Sequence, residues 1–157
     1  MIVRIVAIAA ALVILAAAGF YVLGPTPQQD KLAATAEDLA LGARVYRKNC
    51  SSCHGLDGQG QPGWQTSTSE APPHDATGHT WRHPERSLFR YIKTGVLDDI
   101  CKTDANPAMP KFKDTLSDDE IRAVLAYIAS RWPPQIKALN AAINREYDRQ
   151  DRLLSGG

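Results

Sequence analysis

Cys50, Cys53 and His54 stand together in the run Cys50-Ser51-Ser52-Cys53-His54. Thiols three residues apart lie on one side of a helical turn. A C-x-x-C pair followed at once by His is the spacing that attaches c-type haem covalently. The thiols add across the two haem vinyl groups as thioethers, and the adjacent imidazole becomes an axial ligand of the iron. Two other chemistries use such a pair. A thioredoxin-type dithiol expects a strand before it in a βαβ setting, whereas the residues before Cys50 read as helix. A zinc site needs two further ligands; no second C-x-x-C exists, so Cys101 or a histidine would have to complete it. The haem reading therefore leads.

A six-coordinate haem needs a second axial ligand, and the chain has 2 Met. Met1 belongs to an apolar leader. Met109 lies in Asn106-Pro107-Ala108-Met109-Pro110-Lys111-Phe112, where flanking prolines stiffen the loop and aim the thioether. The alternative for Met109 is core filling. The rival ligands are His74, His79 and His83, clustered between Pro72 and His83. That cluster has two readings of its own: a site for copper or another exported metal, or a polar loop shielding one edge of the haem.

Four helices are expected to position these groups. Residues 36–49 carry Leu39, Gly42, Ala43 and Tyr46 at helical spacing, with Glu37 and Asp38 at the start. Residues 84–94 form a second helix, with Pro84 in its first turn, an apolar face of Leu88, Phe89 and Ile92, and Gly95 as its stop. Ser117 and Glu120 make a capping box for a third, with a stripe of Ile121, Val124, Leu125 and Ile128, ended by Pro133-Pro134. Residues 136–153 put Ile136, Leu139, Ile143 and Tyr147 on one face of a fourth. Residues 55–83 form a long loop rich in Gly, Pro, Ser and Thr, unusual in a compact domain unless it wraps something. No stretch alternates as a strand. The expected class is all-α with a core too small for its length, as suits a chain folded around a large apolar cofactor.

The sequence ahead of this region sets the compartment. Residues 5–23 are an unbroken run of apolar, Gly or Tyr residues behind Arg4, nearly long enough to cross a hydrocarbon core of about 30 Å. Ala16-Ala17-Ala18 offers a cleavage site for a signal peptide, but Phe20 to Leu23 prolong the apolar run beyond it. The preferred reading of residues 1–24 is an uncleaved inner-membrane anchor with its N-terminus in the cytoplasm; the alternative is a cleaved signal and a soluble periplasmic protein. Residues 25–35 are a Pro-containing linker, 36–132 the haem domain, and 133–157 a C-terminal helical extension. In the 157 residues, 18 Lys and Arg balance 17 Asp and Glu. That near-neutrality argues against a nucleic-acid partner, which would call for a basic excess. No P-loop, GxGxxG or HExxH pattern occurs, so nucleotide and zincin chemistry have no motif.

With these residues in place, the chain resembles the class I c-type cytochromes, monohaem Met/His-ligated electron carriers, in particular exported or membrane-anchored bacterial members. The resemblance rests on Gly42 and Tyr46, the Cys50–His54 motif, Gly55, the turn at 58–63, Ala108-Met109-Pro110 with Phe112, and residues 116–128. It implies a cytochrome c fold around one covalent haem c held by Cys50, Cys53, His54 and Met109, with His54 and Met109 on the iron. It implies that Gly42 and Tyr46 cross the last core helix at Val124 and Tyr127. It also implies that a proline carbonyl, assigned to Pro62, accepts the proximal histidine's hydrogen bond, and that Trp81 and Arg82 serve the haem propionates. The implied function is one-electron transfer without enzymatic chemistry, with respiratory or dehydrogenase complexes as redox partners. The competing readings are the haem subunit of a membrane oxidoreductase or a peroxidase-like haem with an open distal site, and a metal-binding or sensor module using His74, His79, His83 and Cys101. Arg86, Arg90 and Lys93, one helical turn apart, form either a docking patch or a solvated face.

Overall fold

In the computed structural model, which describes residues 34–67, 69–96 and 109–156, helix α1 (Ala36–Asn49) begins at a capping box formed by Thr35 and Asp38. The Thr35 hydroxyl accepts the Asp38 N–H at 3.1 Å, and the Asp38 carboxylate accepts the Thr35 N–H at 2.9 Å. Hydrogen bonding to Thr35 also holds the Asp38 carboxyl below its usual range. Cys50 closes α1 and opens the one-turn helix α2 (Ser51–His54). Residues 80–82 form a 3-10 turn, and α3 (Glu85–Thr94) follows. Pro84 is its N-cap rather than its first helical residue.

Helix α4 (Asp118–Ser130) starts at the expected Ser117–Glu120 capping box. Pro133 and Pro134 then begin α5 (Pro134–Ser155), as N-cap and first residue, instead of only ending α4. All regular structure among the described residues is helical. None of these helices is long and apolar enough to cross a membrane. Residues 5–23 and Cys101 lie outside the described residues.

The core forms where α1 crosses α4. Val45 and Tyr46 pack with Ile121, Val124, Leu125 and Ile128, and Phe112, Leu116 and Trp132 close the cluster. Gly42 makes the crossing possible: a Cβ there would drive into the Ala123 carbonyl and the Tyr127 Cβ. Ala123 thus joins the expected Tyr127 at the crossing. The Tyr46 and Tyr127 rings lie 5.5 Å apart.

Helix α5 contributes no buried residue. Leu139, expected on its docked face, is 51% exposed. Ile136 packs against the core cluster, and Asn140 donates to the carbonyls of Trp81 at 2.8 Å and His83 at 3.0 Å. Amides suit this part of the contact because they meet backbone groups of the 3-10 turn and the start of α3.

Candidate haem-attachment site

The short α2 puts the motif's three functional groups in different settings. Its turn is fixed by the His54 N–H to Cys50 carbonyl bond at 2.9 Å and the Cys53 N–H to Cys50 carbonyl bond at 3.2 Å. Cys50 is half-buried and Cys53 exposed, and both are free thiols. Burial pushes the Cys50 thiol up to about 11, so it is protonated at neutral pH. His54 is buried. Its burial favours the neutral ring, partly opposed by its hydrogen bond to Pro72, and neutral imidazole is the form that binds metal.

His54 Nδ1 lies 2.8 Å from the Pro72 carbonyl. A carbonyl only accepts, so Nδ1 carries the proton and Nε2 is left as the metal-binding nitrogen. The expected acceptor, Pro62, sits in an exposed turn at 62–66. The correction follows from how the loop doubles back. Gln61 N–H donates to the Ala71 carbonyl at 2.9 Å, and His74 N–H donates to the Gly58 carbonyl at 2.7 Å. These bonds lay residues 71–75 beside 58–61 and carry Pro72, not Pro62, to His54. Gly60 permits the approach: its φ is +69° and a Cβ would sit 2.6 Å from the Pro73 nitrogen. The signal was the Pro72-Pro73 doublet. A residue before proline is held extended, so Pro72 presents its carbonyl sideways.

Side chains of α1 and of the residue that ends α4 brace the motif and the turn after it. The Tyr46 hydroxyl donates to the Gly55 carbonyl at 2.9 Å. Arg131 reaches the Asp57 carboxylate at 3.1 Å and the Tyr127 hydroxyl at 2.7 Å. Cys50, Trp81, Leu88, Ile92 and Met109 pack against the core cluster while staying only partly buried. Half-covered apolar side chains beside two free thiols and an imidazole with one pinned nitrogen fit a large flat apolar group attached at Cys50 and Cys53. The segment bearing Met109 is tied to the end of α3 by the Phe112 N–H to Ile92 carbonyl bond at 3.0 Å.

The other expected site residues are distributed differently. The Trp81 indole N–H donates to the Gly78 carbonyl at 3.0 Å, so its proton is already used within the chain. Arg82 is exposed, with its guanidinium 4.8 Å from the Trp81 ring centroid. The three loop histidines do not converge. His74 turns inward and stacks on His54, with ring centroids 3.9 Å apart. His79 stacks on Trp64 at 5.8 Å and meets His83 edge-on at 5.3 Å. Among the described residues no group of three or more His, Cys, Asp or Glu side chains is placed to hold a metal ion, so the three loop histidines form no such group. Arg86 and Lys93 are paired with Asp151 and Asp118, so the α3 cations are not an open patch. Thr80 and Trp132, which the sequence did not single out, hold His74 in place.

Comparison with known proteins agrees with this geometry. Residues 37–128 match the family described as cytochrome C oxidase, cbb3-type, subunit III. The chain is 34% identical over 94 residues to the cytochrome bc1 complex cytochrome c subunit of Corynebacterium diphtheriae, covering 59% of this chain and 27% of that one. It is 31% identical over 103 residues to the chloroplastic cytochrome c6 of Chlamydomonas reinhardtii, covering 60% and 55%. It is 33% identical over 98 residues to cytochrome c6 of Picosynechococcus, covering 62% and 77%. The chain thus spans about a quarter of the corynebacterial subunit and about half of the algal protein. No solved structure matches significantly. The chain belongs to the class I c-type cytochromes, a monohaem family whose cofactor is covalently bound haem c.

Proposed function

We infer that this protein is a one-electron carrier rather than an enzyme. The observation that carries the reading is His54: buried, its Nδ1 proton held by the Pro72 carbonyl, its Nε2 left for iron, beside free thiols at Cys50 and Cys53. Cys50 and Cys53 would hold haem c through thioethers, each S–H adding across a vinyl group. His54 and Met109 would bind the iron, and Arg82, whose guanidinium lies 4.8 Å from the Trp81 ring centroid, would serve a propionate. Haem supplies reversible ferric–ferrous exchange when bound. The chain's own part is to keep both ligands in place through that exchange. The Pro72 carbonyl makes His54 a stronger donor, and burial keeps water from its ring. No general acid, base or nucleophile is needed. Exposed Cys53 and Leu56, the latter 64% exposed, leave the attachment edge open to a redox partner.

Partners of the respiratory or dehydrogenase type are supported by the relative named as a bc1 complex subunit. Export, and anchoring through residues 5–23, are supported by the apolar run in the sequence. Haem that survives acid-acetone extraction and denaturing electrophoresis, with a weak red band in the oxidised spectrum, supports the carrier reading. Protein carrying zinc and lacking a Soret band overturns it. A mature N-terminus near residue 1 in the membrane fraction supports the anchor, whereas one at about residue 19 in a soluble protein shows a signal peptide.

A further inference from the structure

We propose that His74 is a positioning residue that locks the plane of the His54 ring. The proposal rests on the reading that His54 Nε2 binds the haem iron. The two imidazoles lie face to face, with centroids 3.9 Å apart and planes 22° from parallel. The hydrogen bond from His54 Nδ1 to the Pro72 carbonyl fixes where one ring atom lies. It leaves the ring free to rock about the line through that atom. A flat contact across the ring face removes that remaining freedom, because any tilt drives one ring edge into its neighbour.

A stacking partner restrains only if it is itself restrained, and His74 is held on every side. Its Nδ1 lies 2.9 Å from the Thr80 hydroxyl oxygen. That hydroxyl donates its own proton to the Pro73 carbonyl at 3.3 Å, so it accepts from His74 and Nδ1 carries the proton. The His74 N–H donates to the Gly58 carbonyl at 2.7 Å. Its carbonyl accepts the Trp132 indole N–H at 2.8 Å. The Tyr46 ring stands edge-on, with centroids 6.2 Å apart. Pro72 and His74 therefore act on His54 from one short segment, one at a ring nitrogen and the other on the ring face. An aliphatic side chain would touch that face but would have no polar atom for Thr80. A histidine supplies both the flat surface and the anchor.

The plane of an axial imidazole sets how its π orbitals meet the iron d orbitals, and thus the pattern of hyperfine-shifted haem-methyl proton resonances in the ferric protein. The test compares wild-type holoprotein with His74→Leu, His74→Phe and Thr80→Val. Absorption spectra and far-UV circular dichroism first establish that haem is attached and the helices intact. His74→Leu, which lacks both face and anchor, is expected to change the spread of the methyl shifts and to broaden them. Thr80→Val, which loosens His74 without touching His54, is expected to move them the same way by less. His74→Phe, which keeps the flat face, is expected to stay nearest wild type. Should His74→Leu accumulate poorly, Thr80→Val against His74→Phe still decides. Unchanged methyl shifts in His74→Leu and Thr80→Val, with the visible spectrum intact, overturn the proposal and leave the stack as packing. Failure of the parent reading looks different: wild type itself would show no low-spin haem spectrum, or one indifferent to His54→Ala.

Discussion

The Asn144 side-chain oxygen accepts the backbone N–H of Glu85, 59 residues earlier in the chain, at 2.7 Å. Helix α3 has Pro84 at its N-cap and no capping side chain of its own, so α5 supplies the cap from outside. Asn144 is in turn oriented by Asn140, whose side-chain oxygen accepts from its amide at 2.9 Å. Asn140 spends its own N–H groups on the Trp81 and His83 carbonyls. The C-terminal extension is thereby bolted to the segment that holds Thr80 and Trp81.

Asn144→Ala removes a cap and should cost about 1 kcal/mol, in the usual range for such losses. Asn140→Ala strips two carbonyls and the brace on Asn144, and should cost more, roughly 1–3 kcal/mol. Urea denaturation of the holoprotein measures both. The double variant should fall short of the sum, because the two residues share one network. Equal and additive losses would show that they act separately.

The helical ends were legible where a side chain announces them: Ser117 with Glu120, Gly95, and the Pro133-Pro134 break. The Cys50–His54 motif was legible because its chemistry is local. Contacts made across the long loop were not. Pro62 and Pro72 are equally eligible by residue type, and only the pairing of 58–61 with 71–75 selects Pro72. The apolar stripe of α5 holds at Ile136, Ile143 and Tyr147, which are partly buried, but not at Leu139; Asn140 and Asn144 on the same helix meet backbone groups, which a hydrophobic pattern cannot signal. His74 read as a loop histidine because nothing in its neighbours along the chain reveals Thr80 or His54.

Gly42→Ala sets two effects against each other. In an exposed helix the change would stabilise by about 1 kcal/mol. Here the new Cβ meets the Ala123 carbonyl, and backbone cannot swing aside as a side-chain tip does. The clash should win, with a net loss of about 1–3 kcal/mol and a lower melting temperature. A variant as stable as wild type would mean that α1 and α4 separate at little cost.

Alkaline stability should depend on Tyr46. Burial pushes its phenol up to about 12 from an ordinary 10.0. Between these values the unfolded chain loses the proton while the folded chain retains it, which favours unfolding. The stabilising contribution is therefore whole below pH 10 and drains away as pH rises toward about 12. Tyr46→Phe gives up the bond to the Gly55 carbonyl and should be weaker at neutral pH by about 1 kcal/mol. Its decline above pH 10 should be shallower than wild type's when urea midpoints are followed against pH.

Met109 is the remaining test, because it separates a closed carrier from an open haem. It is the only Met outside the apolar leader, so no other thioether can replace it. Thioether is a weaker donor than imidazole and favours ferrous iron, which keeps the potential high. Met109→Ala should leave haem attached through Cys50 and Cys53, lower the potential and abolish the weak red band of the oxidised protein. The ferrous variant should bind carbon monoxide that wild type binds poorly. Stability should also fall by about 2–5 kcal/mol if the side chain were mainly core packing, but Met109 is only partly buried against that core, so the loss should be smaller than this range. A wild type that takes up carbon monoxide readily, with a variant unchanged in spectrum and potential, would place Met109 in the packing and give the distal position to a ligand from solution.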